Sequence, residues 1–84
     1  MIVEGKVQGV GFRHAARYEG IRLHLTGWVR NRDDGKVEMM VYGGAQDLEA
    51  FRRFVEVGPP HARVTGVTWV KVATDEPVVG FSVV

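Results

Sequence analysis

Thr26-Gly27-Trp28-Val29-Arg30-Asn31 and Lys36-Val37-Glu38-Met39-Met40-Val41-Tyr42 flank the dipeptide Asp34-Gly35, and this stretch decides the fold. The first run is strand-like in composition. The second alternates, with Val37, Met39 and Val41 on one face and Lys36, Glu38 and Met40 on the other. Asp-Gly between two such runs is a strong turn signal, because glycine tolerates the left-handed backbone of tight hairpin turns. An antiparallel hairpin is predicted.

On the N-terminal side, Met1 to Val7 is short and mixed and reads as a strand, broken by Gln8-Gly9-Val10-Gly11. From Phe12 onward the spacing changes: Phe12, Ala15, Ala16, Gly20 and Leu23 fall near one helical face, giving a helix of roughly three turns. Gly20 weakens that helix by about 1 kcal/mol relative to alanine, so it is expected to let another element approach closely. On the C-terminal side, Gly43-Gly44 ends the hairpin, and Leu48, Phe51, Phe54 and Val55 repeat at helical spacing. That helix must stop before Gly58-Pro59-Pro60, since proline lacks the helical N–H and restricts its predecessor. Arg63 to Ala73 reads as a strand, and Val78 to Val84 as a short last one. The order βαββαβ predicts a ferredoxin-like α+β sandwich: an antiparallel sheet of four strands, five counting the last, with two helices on one face. Residues 1–84 are expected to form a single domain.

Composition excludes several functional classes. With no cysteine among 84 residues, neither disulfides nor thiolate zinc sites are available. Three scattered histidines offer no ligand spacing, so no metal is expected. No apolar run approaches the roughly 20 residues of a membrane span, and the start does not read as a signal peptide; a cytoplasmic protein is the default. The net charge of +1 argues against nucleic-acid binding through bulk charge. A local anion site remains open, and the glycines cluster where one would be built.

Gly5-Lys6-Val7-Gln8-Gly9-Val10-Gly11-Phe12-Arg13 joins a strand to a helix start. The first N–H groups of a helix lack helical partners, and the helix dipole favours negative charge there. Glycines let backbone approach an anion, and Arg13 can add a planar two-pronged donor for phosphate oxygens. The run thus suits a phosphate cradle of Gln8, Gly9, Val10, Gly11, Phe12 and Arg13; alternatively, the glycines merely shape a turn. It is not a Walker loop, which needs Gly-Lys-Ser/Thr, nor a dinucleotide fingerprint, because His14 stands in place of the third glycine. Asn31 closes the first hairpin run. Its amide can accept a hydrogen bond from water and donate to an oxyanion without titrating, or it can serve the turn by bonding its own backbone.

Gly5 to Arg13 resembles the first signature of the acylphosphatase family, and Gly27-Trp28-Val29-Arg30-Asn31 with Asp34-Gly35-Lys36-Val37-Glu38 resembles its second. Phe51, Gly58-Pro59, Ala62-Arg63-Val64, Val67 and Gly80-Phe81 extend the resemblance over nearly the whole chain. The resemblance implies hydrolysis of acyl phosphates to a carboxylate and inorganic phosphate without a cofactor or metal, by a monomer. It also implies that Arg13 binds phosphate, helped by the amides of Gln8 to Arg13, and that Asn31 positions the attacking water.

The chain departs from the family pattern in places. Lys6 stands where arginine is usual, and His14 where an aromatic is common; His14, beside the cradle, is better read as a surface or packing residue, since helix neighbours point about 100° apart. Leu23-His24-Leu25 replaces Leu-Gly-Leu, so a positive φ there would cost of order 1 kcal/mol. Trp28 and Trp69 read as core or half-buried strand aromatics rather than ligand platforms, and Arg30 is expected on the strand face opposite Asn31. An RNA-binding module on this fold would need exposed aromatics in a basic strand motif, whereas Gly11-Phe12-Arg13 lies at a loop–helix junction. A module of a larger carbamoyl-transfer protein is the other rival, disfavoured by the free-standing length.

Overall fold

The computed structural model describes residues 1–72 and 78–84. Its elements are β1 (Ile2–Lys6), α1 (Phe12–Arg22), β2 (Thr26–Asn31), β3 (Val37–Tyr42), α2 (Ala45–Val57), β4 (Arg63–Thr68) and β5 (Phe81–Val83). β2 and β3 form the hairpin read from the sequence, in register from Thr26 opposite Tyr42 to Asn31 opposite Val37. β1 lies between β3 and β4, and the full sheet order is β4-β1-β3-β2-β5.

Period-two alternation sorts the sheet into two faces. Val3, Val29, Val37 and Met39 are buried, and with Phe12 and Ala16 of α1 and Phe51 and Val55 of α2 they make one hydrophobic core. Residues of the opposite parity, including Glu4, Trp28, Arg30 and Glu38, lie on the other face, where Arg30 bonds Glu38 at 2.7 Å and sits 5.6 Å from the Trp28 ring centroid. Arg30 is therefore where strand parity puts it. Trp28 is half-buried.

α1 buries Phe12, Ala16 and Gly20, an i, i+4, i+8 stripe. Gly20 does permit a close approach: a Cβ built there would lie 2.5 Å from the Phe81 ring. Arg17 Nε donates to the Phe81 carbonyl at 2.8 Å, so α1 and β5 are fastened at two points. At the far end of the helix His24 takes φ 60°. Its N–H donates to the Ile21 carbonyl at 3.0 Å and that of Leu25 to the Gly20 carbonyl at 2.8 Å. This is the double-bonded helix stop in which glycine normally holds the left-handed position.

Two expectations need correction. The sheet is mixed rather than wholly antiparallel, because β5 pairs parallel to β2, with Gly27 opposite Phe81 and Val29 opposite Val83. β4 ends at the end of the sheet where β2 begins, so a strand starting there and joining β2 must run with it; a three-residue strand carries no periodicity from which that pairing can be read. The strand expected from Arg63 to Ala73 stops at Thr68, although Trp69 to Val72 continue the alternation: β1 ends its pairing at Ile2 opposite Thr68 and offers no further partner in this ladder. Ala73 lies outside the described residues. The last strand is likewise shorter than Val78 to Val84.

Candidate active site

β1 and β2 both pair antiparallel with β3, so they run the same way and their carboxyl ends meet at one end of the sheet. The turn after β1 leads into the N-terminus of α1, and Asn31 is the last residue of β2. Asn31 shares the strand parity of Val29 and so lies on the helix face. Topology therefore gathers the two candidate regions at one end and on one face.

The Gln8–Gly11 turn is anchored on both sides by side chains sunk in the core, Val7 and Phe12. Gly9 has φ 71° and Gly11 φ 77°, while Gln8, Val10 and Phe12 stay outside the positive region. Such alternation of hand turns successive N–H groups toward a common concavity, the geometry of an anion nest. Among the described residues, no main-chain N–H from Gln8 to Arg13 donates to a protein acceptor; the helical ladder begins with Ala15 donating to the Gly11 carbonyl at 3.0 Å. A Cβ at Gly9 or Gly11 would meet nothing within 4 Å, so the space beside both is open. Both glycines are thus demanded by backbone hand, not by crowding. The first turn of α1 carries no acidic residue, leaving the field at the helix N-terminus positive.

Arg13 sits half-buried in that first turn. Arg22, Arg30, Arg32, Arg52 and Arg53 each pair with a carboxylate, whereas Arg13, like Arg17 and Arg63, has no carboxylate partner among the described residues. Asn31 Oδ1 is buried and accepts no hydrogen bond from the described residues. A buried unpaired acceptor costs about 1–3 kcal/mol, which a donor brought by a ligand would offset. Of the predicted cradle residues, Gln8 to Arg13 contribute amides to the turn, Phe12 adds only its amide because its ring is buried, and Val10 packs partly on the core.

Sequence reading missed the side chain of Gln8. Its Nε2 donates to the carbonyls of Arg32 at 2.8 Å and Lys36 at 2.9 Å, joining the cradle to the turn that follows Asn31. No sequence signal marks such a long-range bond. Also missed were the acids beside Asn31: a shallow hollow is lined by Arg30, Asn31, Arg32, Asp33, Asp34 and Glu38. Asp34 is held below the usual carboxylate range, chiefly by the Lys36 N–H at 3.1 Å, which outweighs desolvation, with smaller help from the Arg32 and Lys36 charges. Asp34 and Glu38 are engaged by Arg32 and Arg30. His14 is exposed, and His24 lies at the other end of α1. No three His, Asp or Glu side chains converge as a metal site among the described residues. A second, more apolar groove of about 500 Å³, lined by Met40, Tyr42, Leu48 and Trp69, lies away from the cradle. No helix of the described residues is long and apolar enough to cross a membrane.

Known proteins share both the sequence and the shape. The acylphosphatase family model matches residues 1–83. The acylphosphatase of Bacillus velezensis is 48% identical over 68 residues, 81% of this chain and 76% of its own length. The crystal structure of acylphosphatase from Bacillus subtilis superposes with a TM-score of 0.95 at 41% identity, covering 99% of this chain and 92% of that one. A region of full-length HypF, in its phosphate- and nucleotide-bound form, matches 99% of this chain at 32% identity and a TM-score of 0.86, but makes up 11% of that protein. With a family match over nearly its whole length, this chain belongs to the acylphosphatase family.

Proposed function

We propose that the chain is an acylphosphatase, hydrolysing the carboxyl–phosphate bond of acyl phosphates. The observation that supports this most is the gathering, at one sheet end, of the unpartnered Gln8–Arg13 amides, an arginine without a carboxylate partner, and the unpaired buried Oδ1 of Asn31. The amides and the Arg13 guanidinium hold the phosphoryl dianion and neutralise charge as it shifts in the transition state. Asn31 Oδ1 accepts a hydrogen bond from a water and aims its oxygen at phosphorus, opposite the acyl oxygen. The new P–O bond forms as the acyl P–O bond breaks, and the electron pair leaves on the carboxylate. The water's proton passes to a phosphate oxygen, so the products are a carboxylate and dihydrogen phosphate.

A carboxylate is already a good leaving group, so the step asks for no general acid. Asp34 is poorly suited as a base, because its lowered pKa makes it a weak one and Arg32 already holds it. The proposed enzyme is a cytoplasmic monomer that needs no metal, with residues 1–84 as a single acylphosphatase domain. The test is phosphate release from benzoyl phosphate in the presence of a chelator, with inorganic phosphate as a competitive inhibitor. Activity lost on chelation, or phosphate that fails to compete, would count against the reading.

A further inference from the structure

Asn31 can aim water at a phosphoryl group only if β2 and the cradle keep a fixed separation, yet they belong to strands that are not neighbours: β3 lies between them. The Gln8 side chain supplies the direct link. One amide nitrogen donates to both the Arg32 and the Lys36 carbonyls, spanning 24 and 28 residues of sequence. Its orientation is fixed by chemistry, since two carbonyls can be served by an NH2 group and not by an amide oxygen.

The two acceptors are also the ones that close the turn. The Arg32 carbonyl takes the Gly35 N–H at 3.2 Å, and the Lys36 carbonyl takes the Arg32 N–H at 2.8 Å. A carbonyl has two lone pairs, so Gln8 fills the remaining capacity of each. Among the described residues these are the only hydrogen bonds between the 8–13 turn and the 31–36 segment. Arg13 and the cradle amides make no such contact.

We propose, resting on the acylphosphatase reading above, that the Gln8 side chain is a positioning residue: it sets the separation of cradle and Asn31 and so the line of attack of the water. It touches neither substrate nor water itself. Its main-chain N–H remains in the cradle whatever the side chain is, so the two contributions of Gln8 can be separated by substitution.

The experiment is a double-mutant cycle on benzoyl phosphate hydrolysis with Gln8→Leu and Asn31→Ala, reading kcat and the inhibition constant of inorganic phosphate. Misplacing reacting groups by about 1 Å can cost on the order of 10²-fold, so Gln8→Leu is expected to lower kcat by about 10- to 100-fold while phosphate inhibition changes by no more than about threefold. In the Asn31→Ala background the same substitution should have almost no further effect on kcat, because there is no aimed water left to misplace. Gln8→Asn, one methylene too short to span both carbonyls, should behave as Gln8→Leu does. Equal kcat losses in both backgrounds would overturn the positioning role, as would a loss confined to phosphate affinity. Should neither Gln8 variant fold, the clamp is a structural prop and the idea falls. An inactive wild type would instead overturn the enzymatic reading beneath it.

Discussion

His24→Gly should stabilise the protein without touching its chemistry. His24 holds the left-handed position of the α1 stop at φ 60°, and it is the only non-glycine with positive φ among the described residues. A side chain there brings Cβ against the following carbonyl at a cost of about 1–2 kcal/mol, near the lower end for histidine, which tolerates this region better than most. Glycine removes that cost but adds about 0.5–1 kcal/mol of unfolded-chain entropy. The net gain is therefore up to about 0.5 kcal/mol. The exposed imidazole makes no hydrogen bond to the described residues, and both closing bonds are main-chain, so glycine keeps them. In a domain of this size 1 kcal/mol moves Tm by about 4–8 °C, so the midpoint of thermal melting followed by circular dichroism should rise by up to about 4 °C. His24→Ala is the control: it deletes the imidazole and keeps the Cβ, so it should gain nothing. A His24→Gly melt below wild type, or an equal gain from alanine, would refute the backbone explanation.

Arg13→Ala should cost about 10²- to 10³-fold in kcat, the usual loss for one donor to developing charge, whereas Asn31→Ala should lower kcat more than it weakens phosphate inhibition; the reverse pattern for Asn31 would make it a binding group. Gly20→Ala should lower Tm: the new Cβ meets the buried Phe81 ring at 2.5 Å, and overpacking of about 1–3 kcal/mol outweighs the gain of about 1 kcal/mol in helix propensity. Glu19, lowered chiefly by its hydrogen bond from Arg22, and Asp34, lowered chiefly by the Lys36 N–H, are both depressed in the fold. Their stabilisation is therefore present above the ordinary carboxylate range and lost as pH falls through the folded values. Urea titrations of Glu19→Gln and Asp34→Asn should show a shallower acid limb than wild type. The rate should vary little between about pH 5 and 7, since the proposed step uses no general acid or base from the protein; a step that His14→Gln removes would give that histidine a role.

Elements with strong periodicity were legible: the alternation of Val37, Met39 and Val41 fixed β3, and Phe51 with Val55 fixed the inner stripe of α2. The same parity rule placed Arg30 and Asn31 on opposite faces of β2. Illegible were features settled by partners distant in sequence. β5 is parallel because of where β4 ends, and β4 stops at Thr68 because its ladder with β1 ends, whatever the alternation of Trp69 to Val72 suggests. Around the site, the glycine pattern announced the left-handed backbone at Gly9 and Gly11, because backbone hand is a local property. The Gln8 bonds are not local, and nothing near Gln8 in sequence names Arg32 or Lys36 as acceptors.

The openness beside Gly9 and Gly11 has a consequence for selectivity. A hydrolase that grips the part common to all its substrates, and builds no wall around the part that differs, is a generalist. Discrimination among acyl groups needs apolar surface or donors that one candidate satisfies and another leaves unpaired, and the apolar groove lined by Met40, Leu48 and Trp69 lies elsewhere. Catalytic efficiency across a series of substituted benzoyl phosphates should then follow the acidity of the departing acid in a straight free-energy relation, indifferent to the bulk of the ring substituent.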